Sequence, residues 1–463
     1  MRLYDTLARE IVDVRPERAG LLSMYSCGPT VYRYAHIGNM RTFLMADLIR
    51  RAFELAGTEV RQIQNITDVG HMTDELFDRG EDKMLVAAGI ENKTPEEIAA
   101  YYTDAFYKDI QAVGIKPAAL YPKASDHIPQ MIELITKLIE RGHAYEAGGT
   151  VYYDVRSFPA YGRLSGNTLD SLQSGHRKDV DDENKRHHAD FVLWMSAGPR
   201  RLIKFASPWG DGYPGWHIEC SALSMQHLGD RFDLHTGGED NVFPHHEDEI
   251  AQSEGVVGRA VVRHWVHGAH LLSEGRKMAK SAENFYELGD LEARGHTEPL
   301  AIRLLFLQSR YRAQMNFTLD ALGAAETTLA RWRRLIGDWS ADGSPPSDVE
   351  QKYEQRFADA IDDDLDTPSA VALSAEVVST PALSPAGKVR LLTHWDAVLG
   401  LDLNREASQD RAVPAGVARL IDRREHARAA RDFAAADSIR EQIRAEGYDV
   451  EDTAEGPKVR PTS

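Results

Sequence analysis

Cysteine is scarce in this chain: two residues, Cys27 and Cys220, in 463. That excludes a disulfide-stapled scaffold, and so few thiols so far apart are more often kept reduced, as ligands or nucleophiles, than bridged. Long apolar runs are missing too. No uninterrupted stretch approaches the ~18 residues of a membrane span, so none is expected. A basic excess is also lacking, since 54 Lys and Arg face 72 Asp and Glu for a net charge of −18. This argues against a generic nucleic-acid coat but leaves room for local basic faces, such as Arg331–Arg334 and the arginines from Arg419 to Arg444. The opening MRLYDTLARE has no signal-peptide core and carries acids that a transit peptide avoids, so a cytoplasmic enzyme is expected. Internal repeats and low-complexity tracts are absent.

What is present centres on Cys27–Asn39, CGPTVYRYAHIGN. An apolar run (Leu21, Leu22, Met24, Tyr25) reads as a buried strand ending at the thiol. Gly28-Pro29 is a turn signal, and His36-Ile37-Gly38-Asn39 opens a helical pattern through Thr42–Ile49. A strand, a Gly-containing turn and a helix start make a phosphate site, because the first helical N–H groups are unpaired and the dipole there is positive. The same residues also fit a plain strand–helix turn with a surface histidine.

The chain has room for two to four domains. Val60–Ile63 reads as a second strand running into Asn65-Ile66-Thr67-Asp68, and a helix is expected near Pro95–Ile110. This spacing predicts an α/β fold: a Rossmann-like, doubly wound parallel sheet with ligands at the carboxyl ends of its strands. The sheet is expected from residues 1–112 and 194–298. Residues 113–193, with a helix at Ile128–Arg141, a short β unit at Gly149–Val155 and a polar loop over Gly175–Asp190, read as an inserted connective domain. In the second half, Trp216–Cys220 opens a helix, Phe232–His235 and Val261–His270 are strands, and Gly275–Ser281 is a basic loop. An α-helical bundle is expected over 299–403, then a linker, then a small arginine-rich α+β unit over 415–463.

Cys27, Cys220, His245 and Glu249 have the chemistry of a zinc site. His245 and Glu249 are i and i+4 on the helix expected after Pro244, so both can face one ion. His246 is the rival to His245, but the residue four beyond it is Ile250. Two buried cysteines and a helix-surface His–Glu pair fit the same spacing. His235 reads equally as a buried, satisfied histidine, Trp216 as core, and Gly237-Gly238-Glu239-Asp240 as a strand-exit turn. Lys277 and Lys280 suit a polyphosphate as well as a solvated charge pair.

In order, CGPTVY, HIGN, NITD, GWHIEC, DLHTGGED, FPHHEDE and KMAKS resemble the class I aminoacyl-tRNA synthetases and, within them, the cysteinyl-tRNA synthetase family. The resemblance extends to Asp190–Trp194, Ser207–Trp216 and Asp432–Thr453, nearly the whole chain. It implies an ATP-binding signature at His36, Gly38 and Asn39 and a second at Lys277-Met278-Ala279-Lys280-Ser281, with His36, Asn39, Lys277 and Lys280 as catalytic residues. It implies one zinc ion per chain on Cys27, Cys220, His245 and Glu249, and an amino-acid pocket containing Thr67, Trp216, His235 and Asp240. Two positions depart from the family pattern: Asn39 replaces a histidine and Ala279 a serine. The implied reaction is ATP-dependent, with magnesium, and joins L-cysteine to tRNA(Cys) through a cysteinyl-adenylate, zinc selecting the thiol(ate). The resemblance further implies a monomer, tRNA contacts on the helical bundle and anticodon reading by the final unit. No editing domain is expected, because zinc itself separates sulfur from oxygen.

Two other readings compete. One is a cysteine ligase acting on an amino-sugar in thiol-cofactor synthesis, which would lack the anticodon-reading end. The other is a non-catalytic, cysteine-sensing or RNA-binding descendant, against which His36, Lys277 and Lys280 stand.

Overall fold

The computed structural model describes the chain except for 70–71, 75–78, 170–182, 199–200, 202, 279–283, 340–344, 406–414, 431, 454–455 and 462–463. At 72–74, 79–85, 90, 277, 415, 418, 429, 451–453, 456 and 458–461 only the backbone is described. Two units divide the chain at Asn404/Arg405.

The first unit is organised by four parallel strands in the order Val262–Gly268, Phe232–Gly238, Leu21–Ser26, Glu59–Gln64. The chain leaves Leu21–Ser26, crosses through the helix Ile37–Leu55 and returns on one side as Glu59–Gln64. Phe232–Gly238 lies on the other side of the first strand, with Met24 opposite Leu234 and Tyr25 opposite His235. The strand order therefore reverses between Leu21–Ser26 and Phe232–Gly238, the place where a doubly wound sheet opens a crevice at its carboxyl edge. Both faces are covered, as a parallel sheet requires. Leu22, Met24, Leu234 and Val266 pack with residues of Ile37–Leu55. Tyr25, Ile63 and Trp265 pack with Leu223 and Ile250 of the helices Trp216–Leu228 and Glu247–Val257.

A second sheet is antiparallel, in the order Gly212–Pro214, Phe191–Ser196, Thr150–Tyr153, Ala144–Ala147. The apolar face of Ile128–Glu140 (Met131, Leu134, Ile135, Leu138) closes it. The sheet draws strands from both sides of residue 193. Residues 175–182, the first half of the polar run 175–190, lie outside the described residues. A shorter difference from expectation occurs at the basic loop. Arg276–Lys277 pairs antiparallel with Leu271–Ser273, because Glu274 and Gly275, at φ 51° and 75°, make the two-residue turn that suits a hairpin.

Helices Leu300–Leu307, Leu319–Asp338, Asp348–Asp362, Thr367–Ser379 and Pro385–Leu399 follow. Thr318, Ser347, Asp366 and Ser384 cap the last four, each side-chain oxygen accepting a first-turn N–H. These helices share a core with the parallel sheet through Leu300–Leu307. Arg303 is fully buried: it lies 2.7 Å from Asp47 of the first helix and donates to the carbonyls of Gly114 and Leu399. Among the described residues no helix is long and apolar enough to cross a membrane. The second unit consists of helices Ala415–Ala429 and Phe433–Ala445 and the hairpin Tyr448–Thr453/Gly456–Pro461, around Val417, Ile439, Ile443 and Val450.

Candidate active site

Cys27 follows the first strand, and its N–H donates to the carbonyl of Thr236 in the neighbouring strand (3.1 Å), which seats it at the strand reversal. The next residue has to be glycine: a Cβ on Gly28 would stand 1.6 Å from the carbonyl oxygen of Asn65. Asn65 Oδ1 accepts the Gly28 N–H and lies 3.8 Å from Cys220 Sγ, so the loop, the second strand and the Trp216–Leu228 helix meet at one point.

Two overlapping groups of ligand atoms lie there, each within 4.8 Å: Cys27, Cys220, His245 and Glu249, and Cys27, His235, His246 and Glu249. His245 Nε2 is 3.1 Å and His246 Nε2 3.8 Å from Glu249 Oε1, His235 Nε2 is 3.0 Å from Glu249 Oε2, and His246 Nε2 is 3.1 Å from Cys27 Sγ. Spacing favours His245 over His246; the structure brings both rings to the carboxylate. They reach it together because His245 and His246 precede Glu249 by four and three residues, and both spacings put side chains on one helix face.

The donor chemistry fits a cation. Asp248, fully buried, accepts from the Tyr161 hydroxyl and lies 3.3 Å from His217 Nε2. His217 Nδ1 in turn faces His245 Nδ1 at 2.9 Å. With the His217 proton on the Asp248 side, His217 Nδ1 accepts from His245 Nδ1–H, and the lone pair of His245 Nε2 points into the cluster. It meets Glu249 Oε1, a buried oxygen with no hydrogen-bond partner. Burial lowers the proton affinity of His245, but Cys220 and Glu249 outweigh it and hold it well above the usual imidazole value. Burial would raise Glu249, yet His235 and His245 bring it down to about 2. Burial raises the Cys27 thiol, and the Cys27 thiol followed by burial raises that of Cys220. A divalent ion would relieve all of this at once, and two thiolates with an imidazole and a carboxylate are a set that suits zinc. A second chain of rings stands behind: His246 Nδ1 is 2.7 Å from His267 Nε2, and His267 Nδ1 is 2.7 Å from Thr6 Oγ1. Burial, followed by the neighbouring imidazoles, holds His246 well below its ordinary value.

The other expected residues surround this corner. Trp216, half-buried, lies over His245 with ring centroids 4.4 Å apart. His235 is fully buried and stacks on Trp265 at 4.7 Å. Thr67 is buried and donates to Glu219 (2.8 Å), while Asp240 is exposed where Phe232–Gly238 ends. Histidines 217 and 267, Asp248 and Glu219 are absent from the expected set. For His217 the available signal is its place inside GWHIEC, beside Trp216.

The second corner is the start of the first helix. His36 is its N-cap: Nδ1 accepts from Asn39 N–H and Asn39 Oδ1 accepts from His36 N–H, both at 3.2 Å. This reciprocal box fixes both side chains at the orphan N–H groups. Burial, with the Arg33 charge adding to it, pulls His36 down to about 4. A Cβ on Gly38 would meet Met278 Cε at 2.5 Å and His36 Cε1 at 2.9 Å, so the helix start and Met278 touch across a bare glycine. Ile37 N–H donates to Tyr286 (3.0 Å), tying in the chain beyond. The backbone of Lys277 lies in the hairpin; Lys280 and Ser281 fall outside the described residues.

A parallel sheet reversing at a thiol–histidine corner beside a glycine-opened helix start defines a class. The chain matches the tRNA synthetases class I (C) catalytic domain over residues 13–327. Its fold is similar to that of Mycobacterium tuberculosis methionyl-tRNA synthetase in complex with methionyl-adenylate, at TM-score 0.56 and 14% identity over 90% of this chain and 96% of that one. It is 43% identical to the cysteine--tRNA ligase of Thermus thermophilus over 99% of this chain and 98% of the relative. It is 40% identical to that of Chlorobaculum tepidum over 98% of each. The chain belongs to the cysteine--tRNA ligase family of class I tRNA synthetases. Similarity across the final unit does not favour the amino-sugar ligase reading, which would lack that unit.

Proposed function

We propose that the protein joins L-cysteine to tRNA(Cys) with ATP and magnesium. The cysteine carboxylate attacks the α-phosphorus. An O–P bond forms, the α–β bond breaks, and pyrophosphate leaves with the electron pair. A ribose hydroxyl at the tRNA 3′ end then attacks the acyl carbon and AMP departs. The observation that carries the reading is the meeting of Cys27, Cys220, His245 and Glu249 beside the His36 helix start.

Those four residues would hold one zinc ion, whose chemistry there is a strong preference for thiolate sulfur over a hydroxyl. Trp216, Thr67, His235 and Asp240 would shape the amino-acid pocket around it. His36 and Asn39, with Gly38 between them, would hold ATP over the helix N-terminus, where backbone N–H groups receive phosphate. Lys277 and Lys280 would stabilise charge arriving on pyrophosphate, positioning and electrostatics supplying most of the acceleration. The helices of 299–403 would carry the inner tRNA stem and residues 415–463 would read the anticodon, through local basic faces whose grip weakens as salt rises. A cytoplasmic monomer fits this role.

The test is ATP–pyrophosphate exchange dependent on cysteine, followed by charging of tRNA(Cys). Exchange with cysteine but not serine, then charging, is expected. Exchange indifferent to cysteine would overturn the activation step, and exchange without charging would overturn the acceptor.

A further inference from the structure

Arg33 stands three residues before His36, held by rings rather than by acids. Its guanidinium carbon lies 5.1 Å from the centre of the Tyr32 ring and 5.4 Å from that of Phe285. The same Phe285 ring packs edge-on against His36 at 4.9 Å. Phe285 itself sits four residues beyond Ser281. One aromatic ring therefore seats both the histidine cap of the first helix and this arginine, on the segment that follows the lysine-bearing loop. Arg33 is half-buried, and among the described residues it forms no ion pair and donates no hydrogen bond. In a chain with a net charge of −18, a half-buried arginine left without a carboxylate is a cation held for something else. Its charge reaches His36, whose proton affinity it lowers second to burial.

We propose that Arg33 is a phosphate-binding residue of the nucleotide site, an additional cation for the pyrophosphate that leaves during activation. The inference rests on the ATP-dependent reading above. When the α–β bond breaks, the electron pair settles on the departing β-phosphate oxygen. A guanidinium whose face rests on aromatic rings keeps its N–H edge free for that oxygen. Stacking also restricts the side chain beforehand, so less freedom is lost when phosphate arrives. A lysine would carry the charge without the planar seat.

The experiment compares Arg33→Gln and Arg33→Lys with the parent, as full-length zinc-loaded protein, in cysteine-dependent exchange. Arg33→Gln is expected to raise KM for both ATP and pyrophosphate about tenfold or more, with KM for cysteine unchanged and Arg33→Lys in between. Unchanged ATP and pyrophosphate constants would overturn the inference. A rise in KM for tRNA alone would reassign Arg33 to the acceptor end, and equal rises for ATP and cysteine would mean a merely structural role; both overturn it. If the parent shows no cysteine-dependent exchange, the activation reading falls and this inference with it, a result visible before any variant is made.

Discussion

The thiol–histidine corner and the helix-start cradle share the carboxyl edge of one sheet, yet they are built in opposite ways. At the first, nearly every polar side chain is buried and held by another: Asp248 behind His217 behind His245, Thr6 behind His267 behind His246. At the second, the fixed parts are backbone N–H groups, one glycine and a half-buried histidine, with the Arg33 cation on the preceding loop. On the proposed function, the difference follows from what each would have to discriminate. Sulfur and oxygen differ little in size, so selection by donor chemistry needs a rigid, dehydrated set of ligands. A triphosphate announces itself by charge, and helix N–H groups with long cations suffice.

The contrast breaks first at Cys220. Cys220→Ser is expected to lose bound zinc, read by metal analysis of the purified protein, and to cut cysteine activation by about 10³-fold or more, because one of four ligands goes and its neighbours lose their counter-charge. Retained zinc with unchanged preference for cysteine over serine would end the account of this corner. One layer further out, Asp248→Asn leaves every ligand atom in place and changes the carboxylate that faces His217 and accepts from Tyr161. Zinc affinity, measured by competition with a chelating dye, is expected to fall about 10- to 100-fold. An affinity equal to the parent's would mean that His245 needs no such support. At the cradle, Gly38→Ala pushes on the His36 ring, overpacking that typically costs about 1–3 kcal/mol. KM for ATP should rise about tenfold while zinc affinity stays put, and a fall in zinc affinity would show the two corners to be one.

The two regions also differ in how far they could be read beforehand. The parallel sheet was legible because its strands are short apolar runs that end in polar turns, Tyr25 into Cys27 and Ile63 into Asn65. Burial on both faces leaves little else for such runs to do. The pair His245 and Glu249 could be picked out because i and i+4 share a helix face. His246 has no carboxylate four residues on, yet it stands three before Glu249, and that spacing shares the same helix face. His217 and His267 come from a different helix and a different strand, and the direction of a ring is decided by tertiary packing that no local spacing records. The hairpin at Arg276–Lys277 leaves no strand signal in the sequence, because two paired residues are too few to show a period of two.

The smallest effect concerns the histidine that caps the first helix. Its proton affinity in the folded state, about 4, lies below the 6.5 of a free imidazole, because burial and the Arg33 charge both disfavour the cation. Between these values the unfolded chain binds the proton and the folded one does not, so stability rises with pH from about 4 to 6.5 and is lost as pH falls through that window. Protonation would also put a hydrogen on Nδ1, the atom that accepts from Asn39 N–H, so the cap opens along with the charge penalty. For a ring with some access to water, the loss between pH 7 and pH 5 should be about 1–2 kcal/mol. His36→Asn keeps a side-chain oxygen for the cap and removes the titration. In urea unfolding of the full chain, the parent's midpoint should drop over that interval by more than the variant's, whereas parallel pH dependences would place the titrating group elsewhere and leave the cradle's histidine as solvated as an ordinary surface ring.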